Sequence, residues 1–460
     1  MPKIEEIINE NKVWQILEET KNPSPNQIRK ILKKALRKRG LNLKEVGFLL
    51  NTKEPSLIKE MFSVSAKIKK EIYGERLVFF APLYISNFCV NDCEYCGFHV
   101  RNLAPRKKLT MEEIKQQVEI LINMGHKRIL LECGEDPKEN PIEYVLEAIK
   151  TIYATKSAKG EIRRVNVNIA ATTIENYRKL KSVGIGTYQL FQETYHQATY
   201  EKLHHGPKAD YERQLFAHDR AIKAGIDDVG LGVLFGLFDH RFDTLALVSH
   251  AQYLEKKYGI GPHTISVPRL QPAPTVDLSP YSSYLINEKD LLKIISILRM
   301  AVPYTGMIVS TRERPEIRKK AFEIGISQTS AGSRTNPGGY GKKETLAQFS
   351  LQDHRSLDEV VESVLRQKLL PSFCTACYRS GRTGKKIMRL LKPGKIQYLC
   401  RPNAILTFKE YLEDYATSKV KKLGLKIINR YLKQISDDNI RMETENRLKR
   451  IENGERDLYF

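Results

Sequence analysis

Long apolar runs are missing from this 460-residue sequence. No stretch approaches the ~18–20 consecutive apolar residues that a membrane-crossing helix needs, and mean hydropathy is −0.42, so no membrane association is expected. The opening segment MPKIEEIINENKVWQILEET is acidic and amphipathic. It lacks the apolar stretch and small-residue cleavage site of a secretion signal, which points to a cytoplasmic protein. Cysteine is scarce: seven residues, an odd number in a long chain, which argues against a disulfide framework. Acidic residues are in deficit, 54 against 76 Lys and Arg, leaving a net charge of +22 and a pI near 9.5. Such an excess invites a nucleic-acid reading. The basic residues are spread along the chain, however, with concentrations at Arg29–Arg39 and near the C-terminus, and the 22 tyrosines are scattered. Solvated helix faces, or docking to an acidic partner protein, account for this charge better than nucleic acid does. With 41% hydrophobic and 28% charged residues the chain can build a large core, which excludes wholesale disorder and a fibrous chain.

What is present is alternation. Residues 1–75 read as an N-terminal extension of polar helices, interrupted at Lys21–Gln27 (KNPSPNQ). From residue 76, apolar runs at Leu77–Ile85, Arg128–Glu132, Arg164–Ala170, Thr187–Gln192, Asp228–Gly236, His263–Pro268, Gly306–Ser310 and Gly325–Ser330 read as strands, each followed by an amphipathic stretch. Thr110–Gly125 carries its own punctuation: Thr110 as N-cap, Glu113 completing a capping box, Gly125 as stop. Strict strand–helix alternation implies an α/β chain with a parallel sheet, and eight steps over 76–368 fit a closed (β/α)8 barrel of the TIM type. An open doubly wound sheet is the alternative. Residues 369–460 read as loop-rich, carry three of the seven cysteines, end in a basic helix and form a separate C-terminal module.

The sequence CVNDCEYCGF places Cys89, Cys93 and Cys96 at C-x3-C-x2-C, directly after the first strand. Thiolates ligate iron–sulfur clusters, and three on one loop leave the fourth iron of a cubane open for a substrate or cofactor. A zinc site with His99 as fourth ligand is the bland alternative. The motif, with Tyr95 before its third cysteine, resembles the signature of the radical S-adenosylmethionine (radical SAM) superfamily. The resemblance implies a [4Fe-4S] cluster on Cys89, Cys93 and Cys96, with SAM chelated by its open iron. ECGED (Glu132–Asp136) is similar to the superfamily element that holds the SAM amine, which would assign that role to Gly134 and Glu135; Cys133 stands where that element has its first glycine. Asn168, Gln192 and Glu193, at the ends of the third and fourth strands, are candidates for the SAM ribose and carboxylate.

Cys374, Cys377 and Cys400 form a second triad, C-x2-C-x22-C. Taken alone, C-x2-C fits a zinc knuckle. Together, the two triads resemble the tyrosine lyase family of [FeFe]-hydrogenase maturation (HydG), from about residue 40 to the end of the sequence. The thiazole-forming tyrosine lyase (ThiH) is similar over the barrel, including Ser310–Glu313 (STRE), but its family lacks the second triad. The resemblance implies cleavage of the Cα–Cβ bond of L-tyrosine to p-cresol and dehydroglycine, then conversion of dehydroglycine to carbon monoxide and cyanide on iron. It implies a second [4Fe-4S] cluster on Cys374, Cys377 and Cys400, with an additional iron linked through free cysteine and held by a barrel histidine, for which His263 is the candidate. Arg312 (in VSTRERPE) is the candidate for the tyrosine carboxylate, since a guanidinium pairs with a carboxylate through two parallel hydrogen bonds. Arg314 and Arg269 are its rivals, Arg269 closer to SAM. The polar, Gly-rich stretch Thr329–Gly341 is a candidate roof over the substrate. The resemblance also implies a one-electron reductant, a hydrogenase maturation scaffold as partner, an anaerobic prokaryotic cytoplasm, and an internal passage between the two clusters. A zinc-containing RNA-binding protein is the alternative of a different class.

Overall fold

The computed structural model describes residues 3–273, 275–341 and 347–460, so the expected N-terminal extension is seen from Lys3. Eight parallel strands follow one another in chain order: β1 (Arg76–Ser86), β2 (Arg128–Cys133), β3 (Arg164–Asn168), β4 (Tyr188–Gln189), β5 (Val229–Gly232), β6 (Thr264–Ser266), β7 (Gly306–Val309) and β8 (Gln328–Ser330). β8 pairs back onto β1, with Val78 opposite Gln328 and Phe80 opposite Ser330. The sheet is therefore a closed barrel and not an open one. Several strands are shorter than the sequence suggests. β4 keeps only two residues, because the chain beyond it rises toward the barrel mouth and Glu193, at φ 69°, makes a lone bridge to Val233.

The period-2 alternation of β1 decides what faces where. Leu77, Phe79, Ala81, Leu83 and Ile85 pack into the main core, while Phe80, Pro82 and Tyr84 face the barrel interior. Inside, Phe80, Leu130 and Ile308 form a small apolar cluster of their own. The alternate positions on β4–β8 carry Gln189, Gly230, Thr264, Ser266, Gly306 and Ser330. Bulky branched residues usually fill such a barrel; here one wall of the bore is small and polar.

The N-terminal helices are capped as their sequences dictate, by Asn9, Ser24 and Asn42. They pack on the barrel helices His240–Tyr258 and Glu288–Ala301. The C-terminal region differs from expectation. It is largely helical, with helices Gly384–Leu391, Gln397–Asp414, Ser418–Leu432 and Asp438–Glu452. Pro402 lies inside the second of these. It follows closely on a first turn wound tightly in 3-10 fashion, with Tyr398 N bonded to Lys395 O and Leu399 N to Ile396 O, and near a helix start a missing N–H costs little. A ninth strand, β9 (Leu370–Ser372), adds in parallel to the lower end of β1, with Arg76 opposite Leu370. Phe373 then stacks between Phe79 (5.6 Å) and Tyr411 (4.8 Å), welding this region to the barrel floor.

A fully buried ion pair fixes the barrel's last turn. Arg318, on the helix Pro315–Ile324, meets Asp353 and donates to Thr329 Oγ1 (2.8 Å) and Ser330 O. Arg355 closes on the same carboxylate (2.6 Å), and Asp353 N donates to Thr311 O (3.1 Å). Burial works against the Asp353 charge, but Arg355 and Arg318 outweigh it and hold the carboxyl below the usual aspartate value. Asp353→Asn strands a buried guanidinium and should cost about 3–5 kcal/mol in chemical denaturation. Because the folded-state value is depressed, this contribution is fully present above the ordinary aspartate value and is lost as pH falls from there through the lower folded-state value, so the variant's stability should depend less on acid pH than the wild type's.

Candidate active site and a second cysteine site

The first cysteine loop leaves the C-terminal end of β1. Arg106 makes it rigid by donating to the carbonyls of Asn87, Phe98, His99 and Asn102 at 2.7–3.0 Å. Amide donors point at its sulfurs: Asn91 Nδ2 to Cys89 Sγ (3.7 Å), Phe98 N to Cys96 Sγ (3.4 Å) and Gln348 Nε2 to Cys96 Sγ (3.8 Å). Burial pushes the Cys93 thiol up and the Cys96 thiol to about 11. Thiolates here therefore need a cation, and the donor set fits a cluster whose sulfurs accept hydrogen bonds from the surrounding amides. Among the described residues no three His, Cys, Asp or Glu side chains converge on a point; a cubane does not require it, because each thiolate holds a different iron. His99, the zinc alternative's fourth ligand, is engaged by Asp92 Oδ1 and Thr275 Oγ1, each at 3.1 Å.

A cavity of about 190 Å³ opens over this loop at the barrel mouth. The three cysteines, Gly134, Glu135, Asn168, Glu193 and Arg312 all line it. Gly134 N donates to Ser86 O (3.1 Å). A Cβ at Gly134 would lie 2.3 Å from Phe88 O, so only glycine lets the end of β2 rest on the cysteine loop. Cys133 beside it is pushed by burial to about 12. Glu135 is held by Arg213 Nη2 (2.5 Å) and Asn91 Nδ2 (2.7 Å), and Glu193 by the half-buried Lys208 (2.8 Å).

The candidate arginines separate clearly. Arg312 lies over the Phe349 ring, 3.2 Å from its centroid, and has no carboxylate within ion-pair distance among the described residues. Arg314 turns to Glu288 at the surface. Arg269 is committed to Glu313 and to Ile286 O (3.1 Å), outside the cavity lining. Gln192 is likewise buried behind the wall, its N bonded to Gly232 O (3.0 Å). From the Gly-rich stretch, Ser330, Ser333 and Thr335 reach the cavity.

Sequence reasoning missed Glu132, Tyr84, Lys208 and Gln348, which also line the cavity. Glu132 carried a signal: it stands two residues after the inward-facing Leu130 and so faces inward too. Burial raises its carboxyl to about 7, partly offset by a hydrogen bond from Tyr84 and by Arg312. Lys208 and Gln348 arrive from loops distant in sequence and carried none.

The second triad lies at the opposite, N-terminal end of the barrel. Cys374 closely follows β9; Arg128 Nη2 donates to its carbonyl (2.8 Å) and Ala376 N to its sulfur (3.4 Å). A hydrogen bond from Cys400 lowers the Cys377 thiol against the cost of burial, with Arg382 and Arg76 adding to the effect. Cys400 is correspondingly raised. Arg76 is half-buried, and its buried Nε has no partner among the described residues. His263, just before β6, reaches the same end. Its ring centroid is 5.9 Å from that of Tyr378, and its Nδ1 is 3.1 Å from Asp228 Oδ1. A carboxylate beside Nδ1 leaves Nε2 as the nitrogen for a metal.

A closed parallel (β/α)8 barrel with a three-cysteine loop after its first strand, opening on a polar cavity, defines a radical SAM enzyme, with a [4Fe-4S] cluster and SAM as cofactors. Residues 83–247 match the radical SAM superfamily, and residues 266–369 match the biotin and thiamin synthesis associated domain. A 2-iminoacetate synthase of Salmonella typhimurium is 32% identical over 343 residues, covering 74% of this chain and 89% of the relative. The crystal structure of HydG, a maturase of the [FeFe]-hydrogenase, is 55% identical with a TM-score of 0.97, covering 99% of this chain and 100% of its own. The FeFe-hydrogenase maturase HydG of Carboxydothermus hydrogenoformans is 40% identical with a TM-score of 0.83, covering 97% and 100%. The chain belongs to the HydG family. Among the described residues no helix is long and apolar enough to cross a membrane.

Glu132 gives this cavity a measurable signature. Carbon-13 NMR of labelled glutamate should show one carboxyl titrating near pH 7, so that the mouth loses a negative charge below that pH. Arg312→Met removes a cation that lowers this carboxyl and should move its midpoint higher.

Proposed function

We propose that this chain cleaves the Cα–Cβ bond of L-tyrosine to p-cresol and dehydroglycine. It then converts dehydroglycine to carbon monoxide and cyanide bound to iron, for assembly of the [FeFe]-hydrogenase cofactor. The observation that carries this reading is the placement of two cysteine triads at opposite ends of one barrel, with a free guanidinium in the cavity over the first. When bound, the first cluster and SAM supply a hydrogen-abstracting radical. Arg312 holds the tyrosine carboxylate, desolvated against Phe349, where a guanidinium–carboxylate pair gains most. Gly134, through its backbone, and Glu135, Asn168 and Glu193 orient SAM, with Gln192 and Arg269 buttressing them from behind. Cys374, Cys377 and Cys400 hold the second cluster, and His263 an additional iron linked through free cysteine. The small polar wall of the bore, from Ser330 and Ser266 down to Gln189 and Thr264, suits an anionic two-carbon fragment moving between the sites.

On this reading residues 1–75 are a helical extension, 76–368 the catalytic barrel and 369–460 the second-cluster domain. The protein works in the cytoplasm of an anaerobic prokaryote with a one-electron reductant and a maturation scaffold, whose docking its basic surface serves. A second reading, delivery of dehydroglycine to thiazole synthesis, draws support from the similarity to 2-iminoacetate synthases.

Incubation with isotopically labelled tyrosine, SAM and dithionite should yield p-cresol and infrared bands of iron-bound carbonyl and cyanide. p-Cresol without those bands would favour the thiazole reading. Cys374→Ala should leave p-cresol formation largely intact and abolish the bands. Arg312→Gln should raise KM for tyrosine roughly 30-fold or more, the equivalent of losing about 2 kcal/mol from a buried charge pair.

A further inference from the structure

Beyond the last helix, residues 455–460 fold back across the second cysteine site. Asp457, at φ 67°, is gripped by Arg163 Nε (3.0 Å) and Arg379 Nη2 (2.7 Å), while its own N donates to Glu410 Oε1 (2.5 Å). The Tyr459 ring lies under Arg379, 4.4 Å from its centroid, and Tyr459 O accepts from Arg447 Nη1 (2.6 Å). Phe460 N donates to Asn403 Oδ1 (2.8 Å), Phe460 O accepts from Arg382 Nη2 (2.6 Å), and its ring lies under Arg447 at 4.1 Å.

The clamps sit beside the cysteines. Arg379 is two residues after Cys377, and Asn403 is three after Cys400, on the helix Gln397–Asp414. Arg382 N donates to Cys377 O (2.7 Å), and its Nε is buried with no partner among the described residues. Cys377 and Cys400 thus stand on separate elements that the 455–460 segment ties together, and one residue, Arg382, contacts both, its guanidinium reaching Phe460 O and its backbone N Cys377 O.

We infer that residues 455–460 form a strap that fixes the Cys377 turn against the Cys400 helix, and that Arg382, tensioned by Phe460, is a positioning residue whose buried Nε donates to the sulfur of the second cluster. This rests on the proposed assignment of that cluster to Cys374, Cys377 and Cys400. A donor aimed at a cluster sulfur favours the reduced form, so its loss lowers the potential. Among the described residues the strap touches nothing at the barrel's other mouth, so chemistry there is independent of it.

The test uses the reconstituted full chain, a variant lacking residues 455–460, and Asp457→Asn, which tolerates the same backbone but gives up both ion pairs. Wild type should show two cluster signals by electron paramagnetic resonance, with about eight irons per chain. The strapless variant should keep the SAM-responsive signal and p-cresol formation while its second signal is lost or moved to lower potential. Arg382→Gln should lower that potential and Arg382→Lys restore it. In the metal-free protein, amide exchange over residues 376–382 should be at least about tenfold faster in Asp457→Asn. An unchanged second signal and unchanged exchange in the strap variants would overturn the strap alone. A wild type with only one cluster signal would overturn the second-cluster assignment and the strap inference with it.

Discussion

Both cysteine sites of this molecule hang from one strand. β1 runs eleven residues, Arg76–Ser86, about 33 Å at the usual rise per residue. Its upper half pairs with β2, its middle with β8 and its lower end with β9. At one end it delivers the Cys89–Cys96 loop; at the other, Arg76 stands beside the second triad. The distance between the two cysteine sites is thus a strand length. The wall between them and solvent is the sheet that β1 closes by pairing with β8. An open sheet would present the same residues without enclosing anything.

Charge is arranged differently at the two ends. At the upper mouth the carboxylates of Glu135 and Glu193 are already paired, with Arg213 and Lys208, and Arg312 is left with an aromatic face alone. At the floor, Arg76, Arg128 and Arg164 converge, each with a buried Nε that has no partner among the described residues; Arg164 lies 3.9 Å from the Tyr378 ring centroid. Arg128 and Arg164 donate their other nitrogens to backbone carbonyls, but among the described residues no carboxylate lies within ion-pair distance of these arginines. Both ends therefore offer positive charge that an anionic ligand can pair with.

Local information was legible in the sequence and long-range information was not. The triads, the capping box at Thr110 and Glu113, and the eight apolar runs are patterns within a few residues, and they place the strands and the first loop. Closure was not visible, because Val78 meets Gln328 across 250 positions. Residues 369–460 look loop-rich before their final basic helix because Pro402 and the glycines 381, 384 and 394 resemble breakers. The winding of the turn before Pro402 and the packing of Phe373 on Tyr411 override them. Resemblance alone ranks Arg312 above its rivals Arg314 and Arg269; their tertiary partners, Phe349, Glu288 and Glu313, separate them physically. The strap was invisible for the same reason, since Asp457 finds Arg163 nearly three hundred positions away.

The barrel's floor shows how a second site is added to a fold whose chemistry normally lies at the other mouth. Residues at strand starts in such barrels usually serve stability. Here Arg76, Arg128, Arg164, Asp228 and His263 open or immediately precede five strands, and they face a C-terminal region that brings its own three cysteines. The addition needs no change in barrel topology. β9 extends the free lower edge of β1, the Phe79–Phe373–Tyr411 stack anchors it, and Tyr378 bonds to Thr187 Oγ1 (2.8 Å) at the start of β4. The added end is constrained by the same strands, so a shift in barrel register would misplace both sites together.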